Sequence, residues 1–428
     1  MRAILASVFK LPSRDGLYAL LFVFTVVSVL PGAYGNRIMG GAVWLATAGL
    51  LAWRLEKRRR EASLSPVALW RDWRNRHPLD AACWVLLTTG LALSVGINAF
   101  RVEQILGGVL MVSALACYAF LFSSYFLFRR LEDDSGYLWA LALMVAVHGI
   151  PVWEMVHYDS AAALLQYTVG KTTLKLNRIS SVFPNVTTYA PFAAVVAVYC
   201  YSRAFAGTTR GKSRYVEWAV AVLATAGALV AGSRTGILAL FVGLLVLFWR
   251  LEVRKKLLVA AVALAALVAL NLFALRFTYL GKKVGLVFPY VAKLKNDKPL
   301  EAKDFVPDLT LGRSGKKGSR WSRIQQALGF WKERPLLGIG LGQYNMRSGL
   351  DWFGNVHNVP ANILVEAGLL VFVPLAILAA RFLWRWRGTC MAPVIVTVFT
   401  VSMFENLFDH SMAWVLTCSW MFAREGPS

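Results

Sequence analysis

The residues best suited to chemistry form a short polar region in front of an apolar run. His357 and Asn358 follow the glycine-rich segment 335–342, and Pro360 opens an apolar stretch that extends to Leu383. Proline suits the first turn of a helix, so the sequence predicts a helix over 361–383 with His357 near its N-terminus. The unpaired amides and the dipole at such a terminus favour an anionic group such as a phosphate.

Three polar residues share one face of this predicted helix. Asn358, Asn362 and Glu366 recur every four residues. At about 1.5 Å per residue, Glu366 is expected roughly 9 Å inside the apolar run. An ionisable residue at that depth is a functional candidate because its burial in lipid is costly. The alternative is that Glu366 and His357 belong to a polar stripe whose role is to pack this helix against its neighbours.

Arginines in three segments are candidate phosphate ligands. Arg178 precedes an apolar run, Arg234 joins two apolar runs, and Arg323 has Arg320 one turn before it. The planar guanidinium binds phosphate oxygens in pairs, so converging arginines neutralise a diphosphate leaving group without a metal. The alternative is that a lone arginine in a turn snorkels to the headgroups or caps a helix.

The segment around Arg323 shows a helical repeat of apolar residues at Trp321, Ile324, Leu328 and Trp331. Basic residues alternate with this stripe, which is typical of an amphipathic helix lying on a bilayer. Such a helix would hold its arginines close to the lipid headgroups.

Composition places the chain among polytopic membrane proteins. Of 428 residues, 57% are hydrophobic and 16 are tryptophan, with a mean hydropathy of +0.55. The five cysteines lack paired spacing, which argues against a disulfide framework and a zinc site. Residues 17–30 follow an N-terminal segment with Arg2, Lys10 and Arg14 and show no cleavage signal. We interpret them as an uncleaved signal anchor.

Apolar runs predict an all-α protein with twelve transmembrane helices, near residues 17–32, 38–53, 79–97, 102–128, 136–156, 189–206, 215–232, 235–249, 257–275, 360–383, 391–406 and 411–423. If the N-terminus is cytoplasmic, the inside loops hold 25 Lys and Arg and the short outside loops hold six. The positive-inside rule therefore places both termini in the cytoplasm. The expected organisation is helices over 1–275, a long, partly helical outside loop over 276–359, and helices over 360–428.

The long loop carries fifteen basic and six acidic residues, so it should attract anionic headgroups or phosphorylated substrates. Nucleic acid is not an expected partner on this side of a membrane. A divalent ion is not expected either, because Glu301, Asp304 and Asp308 lack histidine support. Segment 335–342 has no preceding strand, so we expect it to make a close backbone approach rather than bind a nucleotide.

Together these motifs resemble the bacterial O-antigen ligase and O-antigen polymerase superfamily, and most closely the lipopolysaccharide O-antigen ligases. Arg234 and Leu238 look like its Arg-x-x-x-Leu element, and residues 331–342 resemble its Pro-Leu-Leu-Gly-x-Gly stretch. His357-Asn358 followed by Gly368 resembles its histidine motif, from which Val371 departs.

The resemblance implies a GT-C-like membrane glycosyltransferase of the Gram-negative inner membrane with a periplasmic active site. Such ligases transfer a glycan from undecaprenyl diphosphate to the lipid A-core oligosaccharide, without cofactor or metal. We expect His357 to be the base or to orient the acceptor, and Arg234 to bind the diphosphate, with inversion of the anomeric centre. Further expected residues are Arg323, Arg178 and Arg320 for the diphosphate, and Asn358, Glu366 and Asp409 in support.

Three other functions stay open. A polymerase of the same superfamily would extend the lipid-linked glycan, and a protein O-oligosaccharyltransferase would glycosylate a protein hydroxyl. A lipid-linked oligosaccharide flippase or other transporter should show internal repeats and broken helices at the midplane. The polar residues instead gather at one face, which favours an enzyme.

Overall fold

The computed structural model describes residues 71, 74–99, 141–142, 144–151, 186–207, 212–231, 233–257, 320–341, 343–348 and 356–405. Within these ranges the chain is helical and contains no strand, as the sequence predicts. The main helices are α1 Pro78–Ala99, α2 Val186–Ala206, α3 Lys212–Ala231, α4 Arg234–Arg250, α5 Arg320–Glu333, α6 Gln343–Arg347, α7 Val359–Ala367, α8 Leu369–Trp386 and α9 Ala392–Phe404.

The apolar runs near 79–97, 189–206, 215–232, 235–249 and 391–406 coincide with α1, α2, α3, α4 and α9. Two described helices, Ser213–Ala231 and Leu369–Trp386, are long and apolar enough to cross a membrane. The count of twelve spans, the three-part organisation and the GT-C-like architecture remain predictions, because much of the chain lies outside the described residues.

Helix α2 forms the centre of a bundle with α3, α4 and α9. Its residues 189–200 are almost all buried in one apolar cluster and are mostly alanine, valine and aromatic residues. Helices approach closely where small residues meet. A Cβ atom on Gly243 of α4 would overlap Thr397 of α9 and Val198 of α2. Small residues allow such packing between apolar helices.

Helices α4 and α9 run in opposite directions. Arg250 at the end of α4 donates a hydrogen bond to the Thr389 carbonyl, just before α9, and Gly243 faces Thr397 midway along both helices. The N-terminus of α4 and the C-terminus of α9 therefore lie at the same end of the bundle, which we call the upper end. The end with Arg250 and Thr389 is the lower end.

The lower end is held by ionic contacts. Arg203 of α2 pairs with Glu217 of α3 at 2.9 Å, with side chains 4% and 0% exposed. Arg381 of α8 pairs with Asp80 of α1. Removing one partner of the buried Arg203–Glu217 pair would leave an uncompensated charge, so this contact fixes how α2 and α3 meet.

The predicted continuous helix over 361–383 is wrong. Helix α7 ends at Ala367, and α8 begins at Leu369 after Gly368, whose φ is 73°. Segment 335–341 fills this break through the hydrogen bonds Ile339 N to Val365 O at 2.9 Å, Gly340 N to Glu366 O at 2.9 Å, Leu369 N to Pro335 O at 2.9 Å and Leu370 N to Leu336 O at 3.1 Å. Glu366 therefore lies in the last turn of a nine-residue helix, not inside a long span.

Segment 335–341 makes the close backbone approach that the sequence predicts. A Cβ atom on Gly338 would overlap the Glu366 carbonyl, and one on Gly368 would overlap the Leu336 carbonyl. Both glycines have positive φ, a region that residues with a Cβ atom rarely adopt. Ser94 of α1 also donates to the Leu337 carbonyl at 2.8 Å, so α1 supports the same segment.

Gly368→Ala should lower the free energy of unfolding by about 1–3 kcal/mol or more, because the new methyl group adds backbone strain and a steric clash. Thermal unfolding of the detergent-solubilised protein, followed by circular dichroism, measures the change. Gly329→Ala is the matched control, since Gly329 lies in α5 with open space around it. Alanine there should be neutral or stabilise by roughly 0.4–1 kcal/mol. Equal midpoints for Gly368→Ala and the unmodified protein would contradict the packing described.

Candidate functional site

His357 lies immediately before the N-cap of α7 in a strained backbone conformation. Its φ is 52°, the only positive φ of a non-glycine residue among the described residues. Histidine adopts this left-handed region more readily than branched residues do, but the conformation still costs free energy. The surrounding structure therefore has to hold the His357 backbone in place.

Asn358 provides that hold through both ends of its side-chain amide. Its Oδ1 accepts a hydrogen bond from the Ala361 amide at 2.8 Å, which caps α7. Its Nδ2 donates to the Met403 carbonyl at 2.9 Å, near the end of α9. One side chain thus starts the histidine-bearing helix and ties it to the upper end of the bundle.

The imidazole of His357 contacts a carboxylate that sequence reasoning did not single out. Its Nδ1 lies 2.9 Å from Oε2 of Glu405, the residue that ends α9. The His357 side chain is 25% exposed and that of Glu405 is 9% exposed. A carboxylate only accepts, so the shared proton lies on Nδ1 and the basic lone pair of neutral imidazole lies on Nε2.

A signal for Glu405 exists in the sequence. It is the one carboxylate within the predicted run 391–406, and an ionisable residue in such a run marks a functional candidate. The pairing itself joins residues 48 positions apart, and spacing alone does not predict it.

Arg234 is the first residue of α4 and is exposed. A cation at a helix N-terminus is opposed by the helix dipole, so Arg234 does not serve the stability of α4. It lies nine residues before Gly243, and Glu405 lies eight residues after Thr397. At about 1.5 Å per residue these offsets are roughly 13 Å and 12 Å, which puts Arg234 and Glu405 at one level of the bundle.

Helix α5 brings Arg323 towards the same region. Ala327, one turn after Arg323, is buried in one apolar cluster with Val365 of α7 and with Val356, the residue before His357. Arg320 begins α5, but its side chain lies outside the described part of the protein.

The amphipathic stripe predicted for α5 is divided between two environments. Ile324 and Trp331 pack against the cluster around Ala327, whereas Trp321 is 64% exposed and Leu328 is also exposed. The helix forms as predicted, but part of its apolar face covers the protein rather than facing outward.

The Glu366 carboxylate contacts helix α6, which follows the glycine-rich segment, and also contacts its own helix α7. Its Oε1 accepts from the Tyr344 amide at 3.3 Å, and its Oε2 accepts from Asn362 Nδ2 at 3.4 Å. A carboxylate near a helix C-terminus is disfavoured by the dipole, so these donors offset a cost. The geometry supports a role in holding α6 against α7.

The structure thus brings His357, Asn358 and Arg234 to one end of the bundle and adds Glu405. Arg178 and Asp409 lie outside the described residues. Among the described residues, no three His, Cys, Asp or Glu side chains are grouped to hold a metal ion.

Comparison with known families identifies residues 219–376 as a match to the family described as O-antigen ligase. The matched region contains Arg234, Arg323, His357 and Glu366 and ends before Glu405. A search of curated proteins finds no match.

Asn358→Ala should destabilise the protein by about 1–2 kcal/mol, because it removes a helix cap and the tether to Met403 together. Thermal unfolding in detergent measures the effect. Ser233→Ala is the matched control, since Ser233 occupies the N-cap of α4 without a capping hydrogen bond from its side chain. Equal losses in the two variants would show that the Asn358 contacts contribute nothing specific.

Proposed function

We propose that this chain, whose residues 219–376 match the O-antigen ligase family, transfers O-antigen glycan from undecaprenyl diphosphate to the lipid A-core oligosaccharide. The observation that carries the proposal is the His357–Glu405 pair at the bundle end where α4 begins with Arg234. A base and a phosphate-binding cation at one level are the two groups that glycosyl transfer from a diphosphate requires.

In the proposed reaction, His357 activates the acceptor. The acceptor hydroxyl oxygen attacks the anomeric carbon while its proton passes to Nε2 of His357. Glu405 accepts the Nδ1 hydrogen bond and stabilises the imidazolium that forms, in the manner of a carboxylate that orients a catalytic histidine. Attack opposite the leaving group inverts the anomeric centre. The bond between the sugar and the diphosphate breaks, and undecaprenyl diphosphate leaves.

Arg234 binds the diphosphate in this account. Its guanidinium donates paired hydrogen bonds to phosphate oxygens, and its charge offsets the charge that develops on the leaving group. Arg323 is the second diphosphate ligand, supported by the packing of α5 beside Val356. Arg178 and Arg320 are further candidates. Because cationic side chains supply this charge, we propose a metal-independent reaction.

Two carboxylates take different parts in the proposal. The resemblance to ligases points to Asp409 as the acidic residue, but the 2.9 Å contact with His357 favours Glu405 for that role. Glu366 supports the site through α6 and α7 rather than by touching substrate.

The proposed setting is the inner membrane of a Gram-negative bacterium, with the upper end periplasmic and both termini cytoplasmic. The basic residues at the lower end support this orientation. Arg203, Arg250 and Arg381 all lie there, in or beside loops that the positive-inside rule places in the cytoplasm. Exposed Trp321 and Leu328 on α5 suit contact with membrane lipids.

Reconstitution with purified components tests the function. Protein, lipid A-core oligosaccharide and an undecaprenyl-diphosphate glycan are combined in the presence of excess EDTA, and the joined product is measured. We expect joined product. A lengthened lipid-linked glycan would instead identify a polymerase, and glycan on a protein hydroxyl an oligosaccharyltransferase. Movement of the donor across a vesicle without transfer would identify a transporter. Loss of transfer in EDTA that Mg²⁺ restores would contradict the arginine account.

His357→Asn should lower glycan transfer by about 100-fold or more while the protein stays folded, because asparagine tolerates positive φ but supplies no base. Glu405→Gln should lower the rate less. The amide oxygen still accepts the hydrogen bond from His357 Nδ1, but it carries no charge to stabilise the imidazolium. Initial rates at matched protein level measure both effects. Glu333→Gln, at an exposed surface pair with Arg347, is the control expected to retain the full rate. Full activity in His357→Asn would remove His357 from the mechanism.

Arg234→Ala should abolish transfer, and Arg234→Lys should impair it, because lysine keeps the charge but not the paired donors. Truncating a desolvated charged hydrogen bond costs about 2 to 5 kcal/mol. The control is Arg254→Ala, an exposed arginine in the segment after α4. Transfer rates are compared after size-exclusion chromatography confirms folding. If well-folded Arg234→Ala transfers at the unmodified rate, the diphosphate is held by Arg323, Arg178 or another basic residue of the long loop.

A further inference from the structure

Tyr344 connects the arginine-bearing helix to the histidine-bearing helix. Its side chain is fully buried within the short helix α6. Its hydroxyl donates to the Arg323 carbonyl at 3.1 Å, and its backbone amide donates to Glu366 Oε1 at 3.3 Å. One residue therefore contacts α5 through its side chain and α7 through its backbone.

Packing strengthens the connection to α5. The Tyr344 ring lies edge-on to Phe330, with centroids 6.1 Å apart and planes at 69°. Edge-to-face aromatic pairs of this kind are favourable beyond the area that they bury. The Tyr344 hydroxyl also lies 3.5 Å from Gln326 Oε1, in the same helix.

The Tyr344 hydroxyl is protonated at neutral pH. Burial raises the pKa of Tyr344, and the nearby positive charge of Arg323 only partly opposes this rise. The phenol therefore keeps its proton at neutral pH and can donate it to the Arg323 carbonyl.

We infer that Tyr344 is a positioning residue that fixes Arg323 relative to His357. This inference rests on the proposed function, in which Arg323 binds the donor diphosphate. Helices α5 and α7 also pack together through Ala327 and Val365, but apolar packing is non-directional and does not by itself fix their relative position. The path from Glu366 through Tyr344 to Arg323 adds directional hydrogen bonds between the two helices.

Tyr344→Phe tests this role because it removes the hydroxyl and keeps the ring. We expect the KM for the undecaprenyl-diphosphate donor to rise about 3- to 10-fold, the effect of one lost hydrogen bond, while kcat stays close to that of the unmodified enzyme. In an Arg323→Ala background the same substitution should have no further effect on this KM, since Tyr344 acts through Arg323. A full additional rise in that background, or an unchanged KM in the single variant, would overturn the inference.

Tyr201→Phe is the matched control. The Tyr201 hydroxyl accepts a hydrogen bond from Thr225 at 3.4 Å, between α2 and α3 and away from α5. We expect the donor KM to be unchanged. A rise equal to that of Tyr344→Phe would mean that loss of any interhelical tyrosine bond perturbs the site, which contradicts a specific role for Tyr344.

A second readout needs no substrate. Amide hydrogen exchange in residues 320–333 should be faster in Tyr344→Phe than in the unmodified protein or in Tyr201→Phe, because α5 loses one of its ties to α6. If exchange is faster in Tyr344→Phe but even the unmodified protein transfers no glycan, the coupling is supported and the proposed function is rejected. Unchanged exchange with an unchanged donor KM would reject the coupling and leave the function standing.

Discussion

The break at Gly368 is the constraint on which the site depends. Ending α7 within an apolar region exposes backbone carbonyls and amides that need partners away from water. Segment 335–341 supplies them through bonds to Val365, Glu366, Leu369 and Leu370. The partners can approach because two glycines adopt positive φ and carry no Cβ atom. As a result α7 is only nine residues long. Its start is held by the Asn358 cap, and its end is held by segment 335–341.

The two ends of the bundle use arginine side chains differently. At the lower end, Arg203 and Arg381 are paired with carboxylates, so their charges are used to join helices. At the upper end, Arg234 is exposed at a helix N-terminus, where the dipole opposes it. The same residue type therefore serves packing at one end and is available to an anionic ligand at the other. The antiparallel register of α4 and α9 places this arginine level with Glu405 and hence with His357.

Local features of this arrangement could be predicted from the sequence. Apolar runs located α1 to α4 and α9 to within a few residues, and Pro360 indicated where α7 begins. Apolar periodicity did not reveal the break, because a glycine with positive φ leaves no mark in a hydropathy pattern. The Glu405 and Tyr344 contacts join residues 48 and 22 positions apart, so they depend on tertiary packing that spacing does not encode. The matched family region supports the superfamily assignment, while Arg178 and Asp409 lie outside the described residues.

The most direct measurement of the central claim is an experimental structure of the protein with undecaprenyl-diphosphate-linked glycan bound. The account predicts the diphosphate within hydrogen-bond distance of the Arg234 guanidinium, with the anomeric carbon on the side of His357 Nε2 and Glu405 still bonded to Nδ1. A donor bound with its diphosphate remote from Arg234, or at the lower end of the bundle beside Arg250, would contradict it.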